Sequence, residues 1–423
     1  MTKFEQYQSV MGHINWVLFL VAVAALPFPQ IVLRYTLVAW LVAWVLELRF
    51  LKKPSVGRTS FILPFVLFAI WYAWRALTGL WSPDHRAWSF MMERYMTFAL
   101  ILPVGIWGVN EHYNWRTVGK VLAISCAVSV AYYIIFVTAL YMHPEWVQHF
   151  GYKDWFFQCQ DWFDCFMRNS SYIKHRLFWC TTQLLGVIAA FQVWSDNSQC
   201  PNRKSQIIKW LLAIIMLSAI PLTGSRQMIL TAAAVMIIAL ITRLPKRHRW
   251  IYASGVIVVG IAVGISVLFN HPRMKELLAG DVTIEQLTLK EPRVAIWQQA
   301  LSSPKDYFWK GLGGGQSVKY LETKYNTHYM EYYTLMHYHA HNQYLEELME
   351  LGIFGMLLFI IAWISIIVCA NGKGRQTAIY FVTISMLNML TDCMWGKFDG
   401  IAIWAIAMIY ILMQSKSTEI GRK

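Results

Sequence analysis

The feature that most constrains this chain is a series of long apolar runs separated by polar breaks. A run of about twenty apolar residues spans the hydrocarbon core of a bilayer as an α-helix. Hydrophobic residues make up 57% of the 423 positions and charged residues only 14%, whereas a soluble domain has about 25% charged residues. Too few polar groups remain to cover a water-facing surface, which excludes a soluble enzyme. The sequence therefore predicts an all-α polytopic membrane protein.

The apolar runs predict about twelve transmembrane helices in a single integral-membrane domain that covers residues 1–423. The longest polar break, residues 270–341, lies between spans 9 and 10 and is predicted to be a large, partly helical loop. The predicted spans lie near residues 14–28, 31–48, 60–80, 88–109, 117–142, 173–194, 208–222, 227–242, 250–269, 342–370, 376–391 and 401–414.

The basic residues predict which side of the membrane each break faces. Lys and Arg outnumber Asp and Glu by 37 to 23, which gives a net charge of +14. In a soluble protein this excess would suggest a nucleic-acid partner, but here the basic residues fall in every second break. Because such basic loops stay in the cytoplasm, we expect both termini there, the loop 270–341 on the outer side, and no nucleic acid. Membrane lipids are the expected surroundings.

Three short segments of the outer breaks allow predictions of local structure. Residues 293–301 have a helical pattern in which Val294, Trp297 and Leu301 share one face. The glycine-rich residues 311–315 lack the spacing of a phosphate-binding loop, and we interpret them as a flexible turn. In the break at 143–172, Cys159 and Cys165 lie close together in sequence, and whether they form a disulfide is left open.

Two arginines at the outer face are candidates for binding an anion. Arg226 follows Gly224 and Ser225 between two apolar runs, and an arginine at membrane depth costs roughly 2.5–3.5 kcal/mol, so it tends to be functional. Arg293 follows Pro292, which favours the first turn of a helix, where anions are attracted. Guanidinium groups bind phosphate through paired hydrogen bonds, so two arginines on one side would suit a diphosphate. The alternatives are a snorkelling Arg226 and a solvated Arg293.

Three histidines at alternate positions precede the tenth predicted span: His337, His339 and His341. In an extended segment all three would point one way, as in a metal site. In a helix only His337 and His341 would share a face, and His339 would point elsewhere. No acidic residue or cysteine nearby is spaced as an obvious further ligand, so we expect no metal and no cofactor. Helix-capping or interfacial histidines and a general base with a near-neutral pKa are the other interpretations.

Aromatic and charged residues surround these positions. Tyr338 belongs to a group of tyrosines that fits either an interfacial belt or a stacking surface for sugar rings. Arg86 lies in the outer break after the third span, close to Arg75, Asp84 and Arg94. For most of this charged group we favour structural ion pairs, and we keep Arg86 as a candidate substrate-binding residue.

At His341 the sequence meets a recognisable pattern. His341 and Asn342, followed by Gly352 and Gly355, resemble the signature of bacterial O-antigen ligases and their polymerase relatives. The resemblance continues upstream in order: Thr223-Gly-Ser-Arg226 is similar to the family's first arginine motif, and Arg293-Val-Ala-Ile-Trp297, with Pro304 and Gly311-Leu-Gly313, is similar to the start of its loop domain. Gln227 departs from the pattern, because relatives often have glycine there.

The resemblance implies a glycosyltransferase similar in architecture to the GT-C class. Such enzymes transfer a glycan from undecaprenyl diphosphate to a sugar hydroxyl of lipid A–core, at the periplasmic face of the inner membrane, without a metal and with inversion. Carried onto this chain, Arg226 and Arg293 would bind the leaving diphosphate. His341 would accept or orient the acceptor hydroxyl, with His337 as second candidate. Further substrate contacts are expected from Ser225, Arg86, Tyr338, His339 and Asn342.

Three other functions remain open at this point. An O-antigen polymerase uses the same donor with a second lipid-linked glycan as acceptor. A protein O-oligosaccharyltransferase also uses this donor, but it usually carries further C-terminal sequence. A proton-coupled transporter predicts ionisable residues near mid-span and repeated halves, whereas the notable charges here cluster at the outer face.

Overall fold

The computed structural model describes residues 3–51, 62–107, 109–143, 161–194, 203–243, 254, 292–325, 330–335 and 337–420. Every regular element within these residues is a helix. The α-helices are α1 (Lys3–Ala25), α2 (Gln30–Leu46), α3 (Ile62–Leu77), α4 (His85–Trp107), α5 (Trp115–Met142), α6 (Trp162–Asn169), α7 (Arg176–Trp194), α8 (Arg203–Leu222), α9 (Arg226–Arg243), α10 (Pro292–Ala300), α11 (Ser317–Tyr325), α12 (Glu331–Leu335), α13 (Gln343–Cys369), α14 (Gly372–Met389) and α15 (Phe398–Ile420).

The helices confirm the prediction of an all-α, multi-pass membrane protein. Among the described residues, seven helices are long and apolar enough to cross a bilayer: α1, α3, α5, α7, α8, α13 and α15. Two shorter apolar helices, Gln30–Leu46 and Arg226–Thr242, add to them. The predicted ninth span, residues 250–269, lies outside the described residues apart from Ser254, so a total of about twelve spans stays a prediction.

The membrane-embedded core is built around α15 and α7. Nearly all of the apolar stretch of α15 is buried, and most of α7 is as well. Aromatic rings fill the space between α15 and its neighbours: Phe98 lies 4.5 Å from Trp404, and Phe68 stacks 5.7 Å from Trp395, between ring centroids. Rings at these separations add to the apolar area they bury. These rings pack α3 and α4 against α15 and the segment that precedes it.

Helix α13 is joined to α3 by a buried ion pair. The guanidinium of Arg75 donates to the carboxylates of Glu347 and Glu350, and all three side chains are fully buried. The indole N–H of Trp71 donates to Glu347 as well, at 2.9 Å. Truncation of one partner of such a pair would leave a buried charge without compensation. The expectation of a structural ion pair is therefore met for Arg75.

The described part of the large loop has its own small core. Helices α10, α11 and α12 pack together through buried residues that include Ile296, Tyr307, Leu321 and Tyr333. The helix predicted at 293–301 is confirmed over Pro292–Ala300, but the apolar face shared by Val294, Trp297 and Leu301 is not its buried face. Val294 and Leu301 are exposed, and α10 buries Ala295, Ile296 and Ala300 instead, because that side faces α11.

The structure describes one of the two cysteines in the outer break at 143–172. Cys165 is a buried, free thiol in α6. Cys159 lies outside the described residues.

The glycine-rich segment 311–315 is not a flexible turn, because it is hydrogen-bonded to α13 and to the outer end of α3. The amides of Leu312 and Gly313 donate to the carbonyls of Met349 and Glu350. Gly314 donates to the hydroxyl of Thr78 at 2.9 Å, and Gly315 donates to the Glu350 carboxylate at 3.0 Å. The prediction was wrong because the partners lie far away in sequence.

Helix α13 accommodates this segment through a kink at Gly352. Its φ of 70° and ψ of −176° interrupt the helix, and the amide of Ile353 bonds the carbonyl of Phe308 instead of one within α13. A Cβ atom at Gly352 would lie 2.3 Å from the Trp309 carbonyl oxygen. Only glycine fits this backbone conformation and this close approach.

We expect Gly352→Ala to destabilise the protein, since the strained backbone alone costs roughly 1–3 kcal/mol and the clash with Trp309 adds to it. The melting temperature of the purified, detergent-solubilised variant should fall by several degrees. Gly396→Ala is the matched control, because the nearest atom to its added Cβ is 3.8 Å away. Equal melting temperatures for the two variants would contradict a tight docking at Gly352.

Candidate active site

The histidine segment lies between α12 and α13 and is not helical. His337 and His341 have positive φ values of 49° and 46°, a left-handed conformation that ends regular structure at both positions. The assumption that His337 and His341 share one helical face is therefore wrong. His337 points into solvent, with its side chain 76% exposed and Nδ1 2.6 Å from the Glu322 carboxylate. His339 and His341 stack instead, with ring centroids 4.1 Å apart.

A hydrogen bond within this segment fixes the tautomer of His339. The backbone amide of His341 donates to Nδ1 of His339 at 3.1 Å. Because this nitrogen accepts, a neutral His339 carries its proton on Nε2. By contrast, Nδ1 of His341 is buried and has no hydrogen-bond partner within the described residues. His341 therefore has a buried ring nitrogen with unused hydrogen-bonding capacity.

Asp392, which sequence analysis missed, lies beside the two stacked histidines. Its carboxylate and one ring nitrogen from each of His339 and His341 lie within 4.8 Å of one another. The Asp392 side chain also accepts the amide of Cys393 at 2.8 Å and lies 3.7 Å from the ammonium of Lys397. The residues between α14 and α15 thus form one wall of the site.

Burial and nearby cations keep the two histidines neutral. Burial lowers the pKa of His341 to about 4, and the charges of Arg293 and Lys397 act in the same direction against the opposing effect of Asp392. Burial and the neighbouring His341 lower the pKa of His339 to about 3. Burial alone would raise the pKa of Asp392, but Lys397 and the histidines hold it below its usual range. The site therefore combines neutral imidazoles with an ionised carboxylate near pH 7.

Three arginines lie at the beginnings of three different helices around this site. Arg226 is the first residue of α9, Arg293 is the second of α10, and Arg176 is the first of α7. Arg176 is close enough to both of the others for their like charges to interact, and Arg293 acts in the same way on His341. Each helix N-terminus adds exposed N–H groups and a partial positive charge. Such a group of cations is suited to an anion with more than one negative charge.

Two hydrogen bonds hold the arginine-bearing and aspartate-bearing segments against the histidines. The indole N–H of Trp297, one turn after Arg293, donates to the Ala340 carbonyl at 2.9 Å. The amide of Trp395 donates to the side chain of Gln343 at 3.0 Å. Ala340 directly precedes His341, and Gln343 is the first residue of α13. The large loop and the α14–α15 connection therefore both contact the chain on either side of His341.

The structure gives structural roles to several predicted site residues. The Asn342 side chain accepts the amides of Tyr344 and Leu345 and so caps α13. Ser225 directly precedes α9, where its carbonyl accepts the amide of Ile229. The ring of Tyr338 lies 5.6 Å from that of His341, edge to face. Tyr338 is thus the candidate that lies beside the histidines.

Arg86 is not joined to the cluster of histidines and arginines by any interaction among the described residues. Its backbone amide donates to the Asp84 carboxylate, which caps α4 and also pairs with Lys319. Two turns further along α4, Arg94 is the residue whose charge reaches His339.

The set His339, His341 and Asp392 has the donor types and spacing of a possible metal site. The positive charges of Lys397, Arg293 and Arg94 act on the same groups. These cations oppose a divalent metal and favour an anion. The expectation that the protein uses no metal stays a prediction.

The missed residues Arg176, Asp392 and Lys397 have a weak signal in the sequence. Arg176 lies at the edge of an apolar run, and Asp392 and Lys397 stand in a short outer break. Their meeting with His341 depends on which spans are neighbours, which no local pattern indicates.

The comparisons with known proteins give one family match. The family model described as O-antigen ligase matches residues 211–360, a range that contains Arg226, Arg293 and the histidine segment. A search of curated proteins finds no match. The family match confirms the resemblance stated from the motifs.

Proposed function

We propose that the protein is an O-antigen ligase that transfers a glycan from undecaprenyl diphosphate to a sugar hydroxyl of lipid A–core. The observation that carries this proposal is that the charges of Arg226 and Arg293 act on Arg176, and that the charge of Arg293 acts on the neutral His341. Transfer from a lipid diphosphate needs cations at the leaving group and a base at the acceptor, and in this proposal the arginines and His341 supply them.

The proposed reaction is one direct displacement. The acceptor oxygen forms a bond to the anomeric carbon while the bond from that carbon to the diphosphate oxygen breaks, which inverts the configuration. The acceptor proton passes to His341, which later releases it to solvent. The electron pair of the broken bond stays on the diphosphate, where the arginines and the helix N-termini stabilise the added charge. No metal and no cofactor takes part in this scheme.

The position of the site relative to the membrane supports a periplasmic reaction. Arg176, Arg226 and His341 lie at or just before the N-termini of α7, α9 and α13, and Asp392 follows the C-terminus of α14. These positions lie in the breaks that alternate with the basic ones, and so on the opposite side of the membrane from most of the basic residues. The positive-inside rule then favours cytoplasmic termini and a periplasmic site in the inner membrane.

Reconstitution tests the function directly. Purified protein in liposomes should transfer a glycan from its undecaprenyl diphosphate carrier to added lipid A–core. Incubation with donor alone separates the ligase from a polymerase, which would lengthen the lipid-linked glycan without the core acceptor. A product that forms only with a pilin-type protein acceptor would indicate an oligosaccharyltransferase. Transfer in none of these reactions would contradict the proposal.

We expect Arg176→Ala, Arg226→Ala and Arg293→Ala each to reduce transfer severely while the protein remains folded. Loss of one donor to the charge that develops in a transition state typically costs about 10²–10³-fold in kcat. Lysine at any of the three positions should restore activity only in part, because an ammonium cannot form the paired hydrogen bonds of guanidinium. Arg86→Ala serves as the control and should retain more activity than these variants. Full activity in an alanine variant would remove that arginine from the site.

The non-helical geometry of the histidine segment sets the expected order of activity loss among the histidine variants. His341→Ala should lose most single-turnover activity, since a general base typically contributes about 10²–10⁴-fold. His339→Ala should come next, because its ring supports the backbone and ring of His341. His337→Ala should be mild, because this side chain is largely exposed. A greater loss in His337→Ala than in His339→Ala would contradict the non-helical segment.

The pH dependence of kcat/KM should report the lowered pKa of His341. The base works in its neutral form, so activity should persist well below pH 6.5 and fall as the pH decreases through about 4, where His341 gains a proton. The profile is measured over a short exposure to acid, with wild-type stability followed in parallel. A kcat/KM that is half-maximal near pH 6.5 would indicate a histidine with an ordinary pKa and would contradict the buried, cation-rich surroundings of His341.

A further inference from the structure

The outer ends of α7, α9 and α14 are joined by one buried side chain, Asn388. It is 0% exposed and lies one residue before the end of α14. Its amide nitrogen donates to the hydroxyl of Thr181 in α7 at 3.0 Å. Its carbonyl oxygen accepts from the hydroxyl of Thr231 in α9 at 3.1 Å. Both threonines are also 0% exposed.

The hydrogen bonds around Asn388 have only one consistent direction. The hydroxyl of Thr181 already donates its single hydrogen to the Leu177 carbonyl at 2.7 Å, so it must accept from Asn388. The amide nitrogen of Asn388 therefore faces Thr181, and its oxygen faces Thr231. The side chain of Gln227 completes the network, because its amide contacts the Thr231 hydroxyl at 3.4 Å and donates to the Leu387 carbonyl at 2.7 Å. Gln227 thus has a role at the position where relatives often have glycine.

Each partner of Asn388 belongs to a segment that carries a site residue. Thr181 follows Arg176 by five residues, and Thr231 follows Arg226 by five residues, so each arginine begins its helix about 7.5 Å beyond the network. The backbone carbonyl of Asn388 accepts the amide of Asp392 at 3.1 Å. Three of the proposed site residues are thus tied to one another through a single asparagine.

We propose that Asn388 is a positioning residue that sets the spacing of Arg176, Arg226 and Asp392 for the diphosphate and the histidines. This inference rests on the proposed function, because it assigns Asn388 to the diphosphate site of that reaction. Asn388 itself is not expected to touch the substrate. It acts through Thr181, Thr231 and the backbone of Asp392, in a membrane setting where an unpaired buried amide has no water to bond.

Two variants of Asn388 test the role of its hydrogen bonds. Asn388→Leu removes both bonds, and a displacement of the arginines should lower kcat by between about tenfold and a hundredfold. Asn388→Asp keeps the shape. A protonated carboxyl has one acceptor and one donor, as the amide has, whereas the ionised form has no donor for Thr181. The activity of Asn388→Asp relative to wild type should therefore rise as the pH is lowered, whereas Asn388→Leu should stay low throughout.

Thr377→Val is the matched control, because it breaks a buried network at the opposite end of the same helix. Thr377 donates to Gln414 at 2.6 Å and accepts from Gln192 at 2.5 Å, which joins α14 to α15 and α7. Loss of this network should lower the melting temperature but leave kcat unchanged. If Asn388→Leu and Thr377→Val lower kcat equally, or if the relative activity of Asn388→Asp does not change with pH, the positioning role is wrong. Should Asn388→Leu fail to fold, the pH profile of Asn388→Asp decides alone.

Binding of inorganic pyrophosphate to the purified protein separates this inference from the proposed function. Asn388→Leu should bind pyrophosphate about tenfold more weakly than wild type, since the arginines no longer converge. If wild type binds pyrophosphate but transfers no glycan, the proposed function fails, and the two affinities alone decide the role of Asn388. Equal affinities would overturn that role. If wild type neither binds pyrophosphate nor transfers a glycan, both proposals fall.

Discussion

The buried contact of Arg75 with Glu347 and Glu350 is the interaction on which the rest of the site depends. It joins α3 to the first two turns of α13, directly below the histidine segment. The same Glu350 accepts the amide of Gly315 and the hydroxyl of Ser317, so it also holds the large loop. Buried charges are costly unless they are paired with an opposite charge through hydrogen bonds. Here that requirement ties two transmembrane helices and the loop into one arrangement.

The glycines of the loop and of α13 make this arrangement possible. Where Gly352 interrupts α13, backbone groups that would pair within a helix pair with the loop instead: Ile353 with Phe308, and Leu312 with Met349. Backbone groups near a bilayer must find partners within the protein. The loop therefore serves as the hydrogen-bonding partner of an opened helix. The same loop also carries Trp297, and its hydrogen bond to the Ala340 carbonyl holds the helix of Arg293 beside the histidines.

The sequence was sufficient for those parts of the site that depend on local pattern. Arg226 and Arg293 do begin helices, and His341 does lie at the entrance of α13, where Asn342 provides the cap. The pairing of the histidines could not be predicted, because it depends on left-handed backbone at His337 and His341, which is uncommon for any residue other than glycine. Arg176 and Asp392 could not be placed either. They join the site only through the packing of α7, α9 and α14, and the pattern of apolar runs gives span length but not which spans are neighbours.

The electrostatics of the site connect the binding of the donor to the strength of the base. In the protein without substrate, Arg293 and Lys397 oppose a positive charge on His341 and add to the effect of burial. A diphosphate bound to the arginines would bring negative charge to the same place and offset these cations, and a nearby negative charge raises the pKa of an imidazole. His341 would then be a stronger base after the donor has bound than before. In the proposed reaction, the residues that hold the leaving group would therefore also prepare the histidine to take the acceptor proton, which makes the spacing of the arginines as important as their presence.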